Sequence, residues 1–267
     1  MWAQRQCPSR IDNTLYDKFG ELWYSEDTHP NALLRAQAVP LVDWVSTSLA
    51  DGARPARVLD VGCGAGLLSN RLVQRGFHVT GLDASSASLA VAERYDVGHR
   101  VRYVQGDARS LPFPDESFEA VTAMDMLEHV DRPEDVIREA ARVLVPGGQL
   151  LFHTFNRTLL AWLVVIKGVE WFVANTPPRM HVLELFIKPA ELEHICRQHG
   201  LVFEQLSGFG PVVASPAFFK LLVTRRVPVD LRFELQRSTR TSYIGIARKR
   251  GRDKVSGNRE LGPARER

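Results

Sequence analysis

Cysteine is scarce in this chain. Cys7, Cys63 and Cys196 are three in 267 residues, an odd number with no paired spacing. That excludes a disulfide framework and a cysteine-held metal, and it predicts a reduced, cytoplasmic setting. Long apolar runs are lacking as well. The longest, Leu159 to Ile166, is closed by Lys167, well short of the roughly 20 residues that a membrane-spanning helix needs. The opening MWAQRQCPSR has no apolar stretch of signal-peptide type. Charge of one sign is also in short supply: 34 Lys and Arg meet 31 Asp and Glu, for a net +3. Eight basic residues against three acidic ones fall between Arg248 and Arg267, so the basic excess belongs to the tail. The body therefore offers no electrostatic case for a nucleic-acid partner. Residues 250–267, with Gly251, Gly257, Gly262 and Pro263 and little that is apolar, are expected to be a disordered, solvated tail.

What is present is a globular composition, 45% hydrophobic and 9% aromatic, with strand-like and helical patterns in alternation. Arg57–Val61, Phe77–Leu82, Val101–Gln105, Phe118–Ala123 and Gln149–Phe155 are short apolar runs of buried-strand type. Helical spacing fills Gly66–Gln74, Ser85–Tyr95 and Pro133–Leu144 between most of them, the last stopped by Pro146-Gly147-Gly148. Such alternation predicts an α/β fold with a parallel sheet covered on both faces. Val202–Leu206, Asp230–Leu235 and Thr241–Ala247 alternate more densely, which predicts an antiparallel C-terminal hairpin. Residues 1–50 are expected to be a helical N-terminal cap, with Pro40 kinking or dividing the helix over Asn31–Leu49. The domain proper is expected over 51–249, with an apolar insertion near 156–187.

Asp60-Val61-Gly62-Cys63-Gly64-Ala65-Gly66 directly follows one strand and precedes a helix. Glycines at alternate positions let a backbone turn sharply and approach a ligand with no Cβ in the way. Asp83 ends the next strand, where a carboxylate can take both hydroxyls of a ribose. Together they indicate an adenosine-type cofactor in a strand crevice. A dinucleotide fingerprint wants a sixth-position glycine where Leu67 stands, and the Asp60 carboxylate would not welcome a pyrophosphate. An ammonium and a sulfonium suit it better.

In this acid-x-Gly-x-Gly-x-Gly loop the sequence resembles the class I S-adenosylmethionine methyltransferases, and Gly106-Asp107-Ala108 resembles their adenine-side motif. Four further pieces follow in order: Met124–Val130 (MDMLEHV), Leu144–Gly148 (LVPGG), Thr154–Arg157 (TFNR) and Phe186–Leu192 (FIKPAEL). With these the chain resembles the ubiquinone-biosynthetic O-methyltransferases over roughly Asn31 to Ala247. The resemblance implies a Rossmann-like, mostly parallel seven-stranded sheet. It also implies methyl transfer to a phenolic hydroxyl of a catechol or polyprenylated quinol. The implied cofactor contacts are Arg35, Gly62, Asp83 and Met124, beside Asp60, Gly64, Gly66, Asp107 and Ala108 from the motifs themselves; Arg35 would pair with the methionine carboxylate.

Asp125, Glu128 and His129 stand at i, i+3 and i+4, one face of a helical turn. The resemblance implies a divalent ion, Mg2+, on such an acid-x-x-Glu-His set, whose first place is usually Glu and here is Asp125. His129, with Glu128 beside it, is the first candidate for the base that deprotonates the phenol, and His153 is the second. Residues 158–174 match a membrane-contacting insertion of the resembled family. Its tryptophans and nearby Lys167 and Arg179 suit an interface at the inner face of a membrane, while packing on the sheet or on a second copy is the alternative. Other aromatic acceptors, and a non-catalytic sensor of lipid or methyl donor, are the competing functions.

Overall fold

The computed structural model describes residues 13–25, 27–50, 56–177 and 180–251, with the side chains of Asn13 and Thr14 excepted. Cys7, Arg179, the boundary at residue 51 and the tail from residue 252 lie outside the described residues.

The strands are β1 (Arg57–Val61), β2 (His78–Asp83), β3 (Arg102–Gln105), β4 (Phe118–Met124), β5 (Leu144–Phe155), β6 (Leu201–Pro211), β7 (Phe233–Gln236) and β8 (Ser242–Lys249). They form one sheet in the order β3-β2-β1-β4-β5-β8-β6-β7. The first five are parallel and the last three join antiparallel. Eight strands replace the expected seven. The reason is the length of β6: its last residues, Gly208–Pro211, offer an outer edge that β7 covers. The expected hairpin is correspondingly interleaved, because β8 enters between β5 and β6.

Successive side chains of a strand point to opposite faces, and the core divides accordingly. Leu59, Val61, Leu150 and Phe152 pack with Val136, Ile137 and Ala140 of α4 (Pro133–Val143). Val58 and Leu151 turn to the other face, against Leu41, Val42 and Val45 of α1 (Asn31–Ser48). Pro40 does not divide α1, which runs through it as one helix. Its buried apolar stripe outweighs the single N–H that proline removes. After the glycine loop, α2 covers only Ser69–Leu72 before a 3-10 turn, shorter than the spacing predicted. Left-handed backbone at Gly62, Gly64 and Gly66 delays the first helical residue.

The remaining helices are α3 (Ser86–Tyr95), α5 (Leu159–Ala161), α6 (Gly168–Phe172), α7 (Pro189–Gln198) and α8 (Pro216–Thr224). A π-helical turn over Trp162–Lys167 links α5 to α6, so the apolar insertion is one irregular helical arm. Ala161 and Ile166 bury against Phe186, whereas Leu159 and Trp171 are exposed. Among the described residues, no helix is long and apolar enough to cross a membrane.

Candidate functional site

A cavity of about 1120 Å³ opens at the carboxyl ends of β1, β2, β4 and β5, where an α/β sheet presents its loops. Its polar end is the glycine loop. Gly62, Gly64 and Gly66 have φ of +70°, +52° and +74°, a region closed to most side chains. A Cβ on Gly62 would lie 2.7 Å from the Met126 Cβ, and one on Gly64 would lie 3.2 Å from the Trp23 ring. Asp83 fixes the loop: its Oδ2 accepts the Gly64 N–H at 2.8 Å and its Oδ1 accepts the Ser85 N–H at 2.9 Å. Burial nevertheless pushes its carboxyl above the ordinary value. Asp107, Ala108 and Met124 also reach the cavity wall. Asp107 is held below the usual carboxylate range by the Arg109 guanidinium, 2.8 Å away.

Three of the residues expected at the cofactor make contacts within the protein. Asp60 is buried under the loop, accepting hydroxyls from Ser69 at 2.6 Å and Thr122 at 2.7 Å. Burial pushes its carboxyl up to about 6. It also lines the cavity floor, and its oxygens tie the start of α2 to β4. Gly66 packs away from the cavity, against Tyr103 and Ala92. Arg35 stands off the wall: its Nη1 donates to the carbonyls of Leu22 and Trp23 at 3.2 and 3.0 Å, clamping the 3-10 turn Gly20–Trp23 over the glycine loop.

The acceptor side is arranged differently from the expected helical face. Only Leu127–His129 forms a 3-10 turn, and Asp125 precedes it in left-handed backbone, φ +51°. This turns the Asp125 carboxylate to His153, Oδ1 to Nδ1 2.8 Å. Glu128 is buried behind the wall, with Oε2 accepting the Thr154 hydroxyl at 2.8 Å and Oε1 without a partner. Burial, then the Asp125 charge, push its carboxyl up to about 8. His129 Nε2 lies 3.3 Å from the Tyr16 hydroxyl. Burial, then His181, push its imidazole down to about 3, so it is neutral at physiological pH.

The residue that joins Glu128 and His129 is His181, whose ligand atoms lie with theirs inside 4.8 Å. Asp125 is outside that group because His153 holds it. One carboxylate and two imidazoles do not fit magnesium, which takes oxygen ligands and keeps several waters. His181 carries no sequence signal beyond its residue type: it lies on the return from the insertion, just ahead of the Phe186–Leu192 motif but outside it. Tyr16 was missed for the same reason.

The far end of the cavity is apolar, walled by Leu163, Val164 and Trp171 of the insertion and by Leu221, Leu231 and Phe233.

Residues 59–152 match the family described as Methyltransferase domain. The ubiquinone biosynthesis O-methyltransferase of Chromobacterium violaceum is 35% identical over 211 residues, covering 76% of this chain and 88% of its own. The protein of the same name from Azoarcus sp. strain BH72 is 36% identical over 79% of this chain and 84% of its own. The chain belongs to the ubiquinone biosynthesis O-methyltransferase family. It is thus an S-adenosylmethionine-dependent methyltransferase, and solved structures agree on the fold. Magnesium protoporphyrin IX methyltransferase from Synechocystis PCC 6803, solved with bound SAH, superposes at TM-score 0.59 with 20% identity, covering 90% of this chain and 96% of that one. A methyltransferase structure from Bacillus halodurans C-125 gives 0.57 at 23% identity, over 78% and 98%.

Proposed function

We propose that this methyltransferase acts on a phenolic hydroxyl of a catechol or quinol bearing a polyprenyl tail, a precursor in the ubiquinone pathway. The observation that carries the reading is the continuity of one cavity from Asp83 and Gly62, past Met124 and His153, to the apolar chamber at Leu163, Trp171 and Leu221. Its volume exceeds the usual range for a single small ligand. A polar aromatic head with an apolar tail matches a wall that changes character along its length, and the names of the curated relatives point to the same acceptor class.

The cofactor fits the polar end. The Asp83 oxygens, already oriented by two backbone N–H groups, keep lone pairs for ribose hydroxyls. Asp107 and Ala108 flank the place for the adenine, and Gly62 and Met124 face the methionine end. S-Adenosylmethionine bound there supplies a methyl group on a sulfonium, a good leaving group. The protein's part is to hold the acceptor oxygen in line, to exclude water and to accept the phenol proton. Trp171 and Phe172, exposed on α6, lie on the helix that packs against α8, where Phe219 and Val223 are exposed. We assign this patch to contact with membrane lipid, the source of a tailed substrate.

The test is labelled-methyl transfer from S-adenosylmethionine to a short-tailed demethylubiquinol, with and without a chelator. Transfer that survives the chelator is expected. Absence of transfer, with the cofactor still bound by calorimetry, would overturn the acceptor assignment.

A further inference from the structure

Three histidines line the cavity, His129, His153 and His181. They differ in what holds their rings. His129 meets the Tyr16 hydroxyl through Nε2, and His181 lies against the rings of His129 and Phe155, with centroids 5.4 and 5.3 Å away. His153 carries a carboxylate: Nδ1 lies 2.8 Å from Asp125 Oδ1. Its Nε2 is buried and has no partner. A strand histidine that is 1% exposed normally satisfies both nitrogens. Here one is satisfied by an acid and the other is left bare, on a residue that forms part of the cavity wall.

The pair is fixed twice over. The backbone N–H of Asp125 donates to the His153 carbonyl at 3.1 Å, beside the side-chain contact. Asp125 reaches this position in left-handed backbone, a conformation that costs on the order of 1 kcal/mol and that the surrounding structure must hold. The rings of Phe155 and Phe209 stand edge-on to the imidazole at 5.5 and 5.1 Å and block its rotation. With Nδ1–H donated to a carboxylate, the lone pair must sit on Nε2. The paired strand neighbours, Met124 on β4 and Ile244 on β8, bring no charge. The charged group that acts on the ring is Asp125; Glu128, behind it, is protonated below about pH 8. Burial disfavours the imidazolium, but the Asp125 charge and hydrogen bond favour it, and the ring is more basic than an ordinary histidine.

We propose that His153 is the general base of methyl transfer and that Asp125 is its positioning residue. This rests on the phenolic O-methylation reading above. In the step, the acceptor O–H bond breaks and its proton passes to His153 Nε2. The oxygen pair forms the new O–CH3 bond as the S–CH3 bond breaks. The electron pair of that bond stays on sulfur, leaving S-adenosylhomocysteine. The sulfonium charge is lost and an imidazolium charge appears beside Asp125, so charge is conserved.

The experiment compares wild type, His153→Gln and Asp125→Asn on two acceptors: a short-tailed demethylubiquinol and a nitrocatechol whose phenol is ionised at the assay pH. Cofactor affinity and thermal unfolding are measured alongside. His153→Gln is expected to lose about 100-fold or more in kcat on the quinol, the scale of general-base catalysis, and less than tenfold on the nitrocatechol. Asp125→Asn, a nearly isosteric change, is expected to lower kcat on the quinol about tenfold. It should also move the rising limb of its pH profile to lower pH, because the ring loses the charge that makes it basic. Equal losses on both acceptors, or an unshifted pH profile in Asp125→Asn, would overturn the base assignment while leaving the O-methylation reading intact. Failure of wild type on both acceptors, with the cofactor bound, would overturn that reading and this proposal with it.

Discussion

Glu128 makes the strongest quantitative test of the site's electrostatics. Its side chain is 1% exposed, one oxygen accepts the Thr154 hydroxyl and the other has no partner. Burial first, and the Asp125 charge second, raise its carboxyl from an ordinary 4.5 to about 8. In the unfolded chain the same group ionises near its ordinary value. Between the two values the unfolded state binds fewer protons than the folded one, so stability falls as pH rises. Stability from this group is fully present below about pH 4.5 and is lost progressively up to about pH 8. At 1.36 kcal/mol per pH unit, the span corresponds to roughly 5 kcal/mol as an upper bound. Glu128→Gln keeps an acceptor for Thr154 and cannot ionise. Denaturant unfolding of both proteins from pH 5 to pH 9 should show the variant gaining a few kcal/mol over wild type. At about 2–4 °C per kcal/mol in a domain of this size, the melting temperatures should diverge by several degrees. Parallel stability curves across this range would refute the claim that folding buries a neutral carboxyl here.

Three further outcomes follow from named contacts. Gly66→Ala places a Cβ in left-handed backbone against the Tyr103 hydroxyl and 3.0 Å from the Ala92 Cβ, whereas Gly76→Ala meets nothing within 4 Å at φ +92°. Gly76→Ala should cost only the backbone strain, about 1 kcal/mol, and Gly66→Ala clearly more together with cofactor affinity, as denaturant unfolding and calorimetry would show. Equal costs would refute the packing role of Gly66. Asp83→Ala should abolish calorimetric binding of S-adenosylmethionine, and unchanged affinity would remove the ribose assignment. Tyr243→Phe deletes a buried hydroxyl that donates to the Ile187 carbonyl at 2.9 Å. It should cost about 1–3 kcal/mol in denaturant unfolding with cofactor affinity unchanged, and no loss would show that the carbonyl finds another donor.

The middle of the sheet was legible because β1, β4 and β5 are buried on both faces along most of their length and so read as short apolar runs between glycine and proline punctuation. Gly62 after β1, Asp83 closing β2 and Asp107 after β3 meet at the cavity because each sits at the end of its own strand. What was not legible depended on neighbours remote in sequence. The strand over Asp230–Leu235 was legible, but its place beside β6 was not, because the length of β6 supplies that edge. The contact of Arg35 with the Leu22 and Trp23 carbonyls joins segments 12 and 13 positions apart and has no local signal. The i, i+3, i+4 spacing of Asp125, Glu128 and His129 suggested one face of a helix, but the strand carries Asp125 in left-handed backbone away from the other two.

The same contrast separates the two ends of the cavity. The cofactor end is built by backbone and strand-end carboxylates of consecutive β–loop–α units, so its geometry is encoded locally. The acceptor end gathers Tyr16, His129, His153, His181 and Leu221 from separate segments, and its chemistry is set by their packing. The Asp125–His153 pair shows how far this goes. Neither residue belongs to a motif with the other, and they are 28 positions apart. They meet because β4 and β5 pair with Met124 opposite His153, which brings the next residue, Asp125, level with the imidazole. Once that register is fixed, an acid at the end of one strand and a histidine within its neighbour become a dyad. The acid therefore faces the imidazole at 2.8 Å, the contact on which the proposed base rests.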